Sequence, residues 1–296
     1  MPDGFSVVFE SDNRRSCADR MLVLTSLSIP HELIETGNRY AIVTLEADAE
    51  LARFELWQYD KENEPPRRPP PASVAVSQHN ALPGVVGYVL VICFVAWLAG
   101  RGTFSIDWYG AGRVDGERIR DGEWWRTLTA LTLHGGLRHL MGNIGFGVLF
   151  GLLAGRVVGS GVAWLAIVLA SGMANTLNTV LLESSHRSVG ASTAVFAALG
   201  FVAGFVWRGK LMAQDRWPYR LGPIVGGIAL LAYTGTGDEN TDIGAHLAGF
   251  VCGFLAGMPL TRLSGAFSNT LLQRASGITA LALIAGAWVI ALVSYR

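Results

Sequence analysis

The sequence predicts a polytopic α-helical membrane protein carrying a small α+β domain at its front end. Three observations predict it. Seven apolar runs approach or exceed the ~20 residues that a helix needs to cross a hydrocarbon core. The chain is 51% hydrophobic and only 16% charged, with a mean hydropathy of +0.37, which suits membrane spans with a soluble appendage better than two soluble domains. Finally, Pro65-Pro66-Arg67-Arg68-Pro69-Pro70-Pro71, a semi-extended linker, separates a front end of mixed patterning from the apolar remainder. The expected division is a cytoplasmic α+β domain over residues 1–62, a linker over 63–80, and a membrane domain with seven transmembrane helices over 81–296.

The 23 bases and 23 acids of the 296 residues are unevenly spread, with thirteen acids and eight bases in residues 1–76 and ten acids and fifteen bases in the rest. No basic surface large enough for nucleic acid follows. Cys17, Cys93 and Cys252 are scattered, two of them in apolar runs. They imply neither a disulfide framework nor a metal site, and no cofactor is expected. Met1-Pro2-Asp3 opens no basic-then-apolar segment, so no cleavable signal peptide is expected.

In the front domain, Phe5–Glu10 alternates and is rich in β-formers, hence a strand. Cys17–Leu27 has apolar residues at helical spacing, and Ile29-Pro30 is expected to end that helix. His31–Ile34 and Tyr40–Leu45 flank Glu35-Thr36-Gly37-Asn38 as a hairpin. Asp48–Tyr59 is a second amphipathic helix, with Leu51, Phe54 and Trp57 or Gln58 on its apolar side. This β-α-β-β-α order resembles small ferredoxin-like modules at the front of some bacterial membrane proteins. Cys17 and His31 stand alone and are read as structural or solvated.

The runs are Ala81–Gly100, Leu137–Gly155, Val162–Leu182, Val189–Trp207, Leu221–Gly237, Ile243–Leu260 and Ala275–Tyr295. If they simply alternate, Arg67, Arg68, Arg156, Arg208, Lys210, Arg216, Arg220, Arg262 and Arg274 share one side with Asp215 as its only acid. The opposite short loops carry Glu183, Arg187, Asp238, Glu239 and Asp242. The basic side is then cytoplasmic and holds the N-terminus, and the C-terminus is external. The expected location is the plasma membrane of a bacterium. The first outer loop, Arg101–Arg126, has five bases and five acids and gives no preference. Its Trp108, Tyr109, Trp124 and Trp125 are read as interfacial anchors of a partly embedded structure along the outer leaflet.

Within this topology the second, fourth and sixth runs all enter from the outside. His139 and Asn143 sit near the start of the second, Ser192 in Gly190-Ala191-Ser192-Thr193 near the start of the fourth, and His246 near the start of the sixth. Ser192 by itself reads as a small residue at a helix contact, and His246 by itself as a buried, hydrogen-bonded histidine. Their common depth makes them a constellation, because ionisable residues inside a membrane face the bundle interior and mark functional sites. Gly249 and Gly253 lie on the helical face of His246, and the fourth run is rich in alanine and glycine, so close approach of the two backbones is expected. His139 and Asn143, four apart, share a face and both carry donors suited to an oxyanion. His134 and His186 fall at or beyond helix ends, where orientation is expected to be less fixed.

At these residues the chain resembles the rhomboid family of intramembrane serine proteases, over roughly Gly122–Gly257. The resemblance is carried by Glu123-Trp124-Trp125-Arg126, by His134-Gly135-Gly136-Leu137-Arg138-His139 with Asn143, by Gly190-Ala191-Ser192-Thr193, and by Asp242 with Ala245-His246-Leu247-Ala248-Gly249 and Gly253. It implies a six-helix core with the seventh helix added. Further, it implies Ser192 as nucleophile, His246 as general base, His139 and Asn143 as oxyanion donors, and transmembrane proteins in the lipid bilayer as substrates. Gly190, Phe196 and Gly249 would position these groups. The resemblance implies a dyad of Ser192 and His246, to which Asp242, one turn before His246, is a tempting third member. Thr193 stands where the family often has glycine, Phe196 where it often has tyrosine, and Gly155 where it often has an acid. Two rivals differ in class. A non-proteolytic client-binding relative typically lacks the dyad, which is here intact. A small-solute transporter is disfavoured by the lack of evident inverted repeats. The partner of the front domain is not indicated.

Overall fold

The computed structural model describes residues 4–37, 39–63, 80–181, 186–209 and 242–295, together with 222, 225–227 and 229. The chain divides into two compact units, Met1–Pro69 and Pro70–Arg296.

The first unit contains β1 (Phe5–Ser11), α1 (Arg14–Ser26), β2 (His31–Thr36), β3 (Arg39–Leu45) and α2 (Ala49–Glu62). The sheet is antiparallel in the order β1-β3-β2, so β1-α1-β2 straddles the central strand β3. Asn13 caps α1, its Oδ1 accepting from the Arg15 N–H at 3.0 Å. The helix stops before the expected proline. Ser28 takes a left-handed φ of 58°, and the Ile29 N–H turns back to the Leu24 carbonyl at 2.9 Å. The β2–β3 register pairs Thr36 with Arg39, which shortens the expected four-residue turn to Gly37 and Asn38; Asn38 itself lies outside the described residues. Cys17, Leu24, Ile29, Ile42, Ala52 and Leu56 form the core. The apolar side expected of α2 is corrected here. Ala49, Ala52 and Leu56 face the sheet, whereas Leu51, Phe54 and Trp57 are more than half exposed.

The second unit contains six helices long and apolar enough to cross a membrane among the described residues. These are α3 (Leu82–Gly100), α7 (Leu137–Val158), α8 (Ser160–Leu181), α9 (Ser192–Gly209), α10 (Ile243–Leu260) and α11 (Thr270–Ser294). Apart from isolated helical positions, the expected span Leu221–Gly237 lies outside the described residues. The innermost helices are α8 and α9; α8 packs on α7, α9, α10 and α11. α3 instead turns Val86, Leu90, Phe94 and Trp97 outward, the side-chain chemistry expected of a lipid-facing surface.

Between α3 and α7 the chain forms the short helices α4 (Trp108–Gly112), α5 (Gly116–Arg120) and α6 (Arg126–Thr129) and the two-residue strand β4 (Val114–Asp115). Arg126, 1% exposed, holds this region together. Its Nη1 donates to the carbonyls of Gly110 at 2.9 Å and Arg113 at 3.2 Å, and its Nε meets the Glu123 carboxylate. Two of the aromatics expected as interfacial anchors are packing residues. Trp108 is buried against Trp288 of α11, ring centroids 5.1 Å apart, and Tyr109 donates to the His134 carbonyl at 2.6 Å. Trp288 Nε1 also donates to Thr132 at 3.0 Å, so the last helix is fastened to the loop it crosses.

Candidate active site

Ser192 is the first residue of α9. The chain reaches it through β5 (Arg187–Ser188), which pairs with β4, and through Gly190, whose N–H donates to the Ala130 carbonyl at 3.0 Å. Gly190 has φ +138°, a backbone conformation that side chains rarely adopt. A second reason excludes a side chain. A Cβ there would lie 2.6 Å from His139 Cε1, 2.8 Å from His139 Nε2 and 3.5 Å from Ser192 Oγ. The imidazole from the start of α7 therefore lies against the glycine two residues before the serine. As the first turn of a helix, the backbone beyond Ser192 also presents N–H groups that have no partner within the helix.

Asn143, one turn beyond His139, is 6% exposed, and its Nδ2 has no hydrogen-bond partner among the described residues. A buried donor left unpaired costs ~1–3 kcal/mol. Its backbone is fixed independently, because Tyr88 of α3 donates to the Asn143 carbonyl at 2.8 Å.

α10 meets α9 backbone to backbone. Gly249, Gly253 and Gly257 face the carbonyls of Thr193, Ala197 and Phe201, while Gly200 and Gly204 of α9 face those of Phe250 and Phe254. Each contact repeats every four residues on both helices, and any Cβ placed at these glycines would come within 2.6 Å of a carbonyl oxygen. This close seat brings His246, 6% exposed, onto the ring of Phe196, with centroids 4.5 Å apart and planes inclined by 21°. Phe196 lies one turn beyond Ser192 on α9.

Asp242 is fully engaged elsewhere. Its Oδ1 caps α10 by accepting from the Ala245 N–H at 2.9 Å. His186 Nε2 lies 2.8 Å from Oδ2, and Asn178 Nδ2 of α8 donates to both oxygens at 3.2 and 3.1 Å. His246 Nδ1 has no hydrogen-bond partner among the described residues. Asp242 thus ties the helix of His246 to the segment leading into Ser192, and the hydrogen bonds its carboxylate makes among the described residues go to Ala245, Asn178 and His186.

Residues 121–263 match the family model described as Rhomboid domain. Among curated proteins the chain is similar to Rhomboid protease GluP of Bacillus subtilis (strain 168), 30% identical over 62% of this chain and 36% of that protein. It is also similar to Putative rhomboid protease YdcA of the same organism, 28% identical over 58% and 85%, and to Rhomboid-like protease 2 of Toxoplasma gondii, 30% identical over 50% and 52%. The chain thus spans about a third of the first relative, most of the second and about half of the third.

Within the matched residues, His139 lies against Gly190 beside Ser192, while His246 and Gly249 lie against Phe196 and Thr193 on the first turns of the helix that Ser192 opens, with Asn143 one turn deeper than His139. Gly155 has its own reason to be small, since a Cβ there would meet Ala81 Cβ at 2.7 Å. Two histidines expected to be loosely held are not. His134 is buried, its ring edge-on to His139 at 5.4 Å and its Nδ1 3.3 Å from the Thr132 carbonyl; His186 is held by Asp242. Sequence reasoning gave no sign of the contacts that fix these two rings, nor of Asn178 beside Asp242. The pairing of His186 with Asp242 spans 56 residues, and no local pattern announces it.

Proposed function

We propose that the protein is an intramembrane serine endopeptidase that hydrolyses a peptide bond in or near the transmembrane segment of membrane-anchored proteins. Ser192 Oγ attacks the scissile carbonyl while His246 accepts its proton and returns it to the leaving amine; water, activated by the same imidazole, then releases the acyl group. His139 and Asn143 donate to the oxyanion together with backbone N–H groups of the first turn of α9. Gly190 admits the His139 ring, Gly249 admits the α9 backbone, and Phe196 sets the plane of the His246 ring. The observation that carries this reading is the meeting of three helix starts. His139 lies against Gly190, two residues before Ser192, and His246 lies on Phe196, one turn after it, which supports an imidazole on either side of the serine. That several similar proteins are named rhomboid proteases supports it.

The same reading makes residues 1–62 a regulatory or partner-binding domain and 63–80 its tether. It also places the N-terminus in the cytoplasm and the site near the outer face, with the C-terminus external, in a bacterial plasma membrane. Arg156, Arg208, Arg262 and Arg274 support that orientation, since all lie towards the ends of the helices opposite Ser192.

Cleavage of a panel of single-span membrane proteins in cells tests the proposal. Ser192→Ala and His246→Ala should each abolish cleavage, and the double variant should be scarcely worse, because the two groups act as a unit. A fluorophosphonate should label the parent protein at Ser192 and neither variant. Cleavage by purified Ser192→Ala at the parent rate would overturn the reading.

A further inference from the structure

α3 and α11 both pack on α8 and leave a groove between them, with about 1490 Å³ of atom-free space, part of it open to the surroundings. Its walls are apolar, built from Tyr88, Ile92, Trp164, Ile167, Leu281 and Ile284. Its mouth, at the helix ends opposite Ser192, is polar: Asn80, Ser160, Ser268, Thr270 and Arg274. Arg274 is the only charged residue among the described residues that line the groove, and it makes no ion pair among them. Of the polar atoms nearby, the Trp164 indole N–H is buried without a hydrogen-bond partner among the described residues, and several others are already used. Gln273 donates to the carbonyls of Val158 and Phe267 and accepts from Gly161 N–H, while Ser160 Oγ accepts from Gly84 N–H. At the far end, beyond Ile284, the hydrogen bond from Trp288 to Thr132 and the packing of Trp108 on Trp288 close the passage.

The depth of this groove selects its occupant. From Arg274 to Ile284 is ten residues of α11, about 15 Å at 1.5 Å per residue, or half of a hydrocarbon core of ~30 Å. A partner's transmembrane helix needs a face as long as the helices it packs on, and this groove ends at Ile284, short of the end of α11 at Ser294. Water has too few polar partners along these walls to fill it. What fits is an elongated apolar molecule one leaflet long with an acceptor of positive charge at its head. We propose that the groove is the seat of a single acidic phospholipid of the leaflet on the basic side, its headgroup on Arg274 and its acyl chains lying along α3 and α11. The inner end of the groove is lined by Leu131, Thr132 and Ala194, the last of these two residues after Ser192. The chain ends of the lipid therefore support the floor under the start of α9.

Native mass spectrometry of the full-length protein, delipidated and titrated with phosphatidylglycerol or phosphatidylcholine, tests this. One basic side chain near the headgroups is worth ~1 kcal/mol, so the parent protein should retain one lipid with about fivefold preference for phosphatidylglycerol. Arg274→Gln should retain either lipid equally. Leu281→Trp, which fills the groove from a position that is half exposed, should bind neither tightly while keeping its thermal unfolding cooperative. Equal retention of the two lipids by the parent protein would overturn the assignment, as would undiminished retention in Leu281→Trp. Loss of lipid accompanied by dimers in the parent spectrum would assign the groove to a second copy instead.

Discussion

Gly253 lies with its Cα against the carbonyl oxygen of Ala197, so closely that a methyl group on it would sit 2.0 Å from that oxygen. The contact is backbone on both sides, so neither partner can yield by rotating a side chain. Gly253→Ala should therefore force α9 and α10 apart, at a cost of ~1–3 kcal/mol for overpacking. Gly145→Ala, in α7 with nothing within 4 Å of the added methyl, should stay within about 0.5 kcal/mol of the parent. Thermal unfolding of the two variants in one detergent checks this, and equal melting temperatures would remove the contact from the account of stability.

The unpaired Nδ2 of Asn143 makes a kinetic prediction. Loss of one oxyanion donor costs ~10²–10³ in rate. Asn143→Ala should leave slow, measurable cleavage with the melting temperature unchanged or raised, because a buried unsatisfied group has been removed. Turnover at the parent rate in both Asn143→Ala and His139→Ala would take these residues out of the site.

Asp242 separates a dyad from a triad. Replacing the acid of a triad by its amide costs ~10⁴ in kcat. Because its oxygens are taken by Ala245, Asn178 and His186, Asp242→Asn should cleave within about tenfold of the parent, a difference of ~1.4 kcal/mol. Asp242→Ala also loses the cap, which is worth ~1 kcal/mol, and should melt earlier yet still label with a fluorophosphonate. A 10⁴-fold loss in a well-folded Asp242→Asn would make this carboxylate part of the reaction.

His134 predicts a dependence of stability on pH. Burial, with a smaller push from neighbouring His139, lowers its pKa from 6.5 to about 4. Unfolded chains take up a proton there near pH 6.5 and folded ones only near 4, so protonation favours unfolding between these values. The melting temperature should fall as the pH drops from about 6.5 to about 4, and fall less in His134→Gln. Parallel curves for the two proteins would show that this ring titrates alike in both states.

Deleting residues 1–64 should leave cleavage of a detergent-solubilised substrate within about tenfold, since none of the proposed reacting groups lies there. Complete loss in a folded remainder would assign the front unit a part in the reaction.

Much of the helix geometry around the candidate site was legible because it depends on spacing along helices. Gly249 and Gly253 share a face with His246 by periodicity alone, and the expected bounds of α10, Ile243–Leu260, agree with the structure. The helix containing Leu51 and Phe54 misled for a physical reason. It has two apolar stripes, and the sheet selects the one with small alanines, Ala49 and Ala52, which admits a closer approach than Phe54 and Trp57 would. Trp108 looked like an interfacial anchor because its partner, Trp288, lies 180 residues away on a helix that composition describes only as apolar. His186 and Asp242 were invisible as a pair for the same reason: hydrogen bonds across a fold leave no period in the chain.

The four-residue rhythm of glycines and carbonyls between α9 and α10 restricts how this molecule can move. Sliding one helix by a single residue would drive side chains into carbonyl oxygens all along the seam; the next matching position is four residues away, ~6 Å of travel. The pair behaves as meshed gear teeth, unable to act as a piston. Whatever opens a path for a polypeptide must therefore come from segments outside this seam, and Ser192 and His246 keep their spacing while it does.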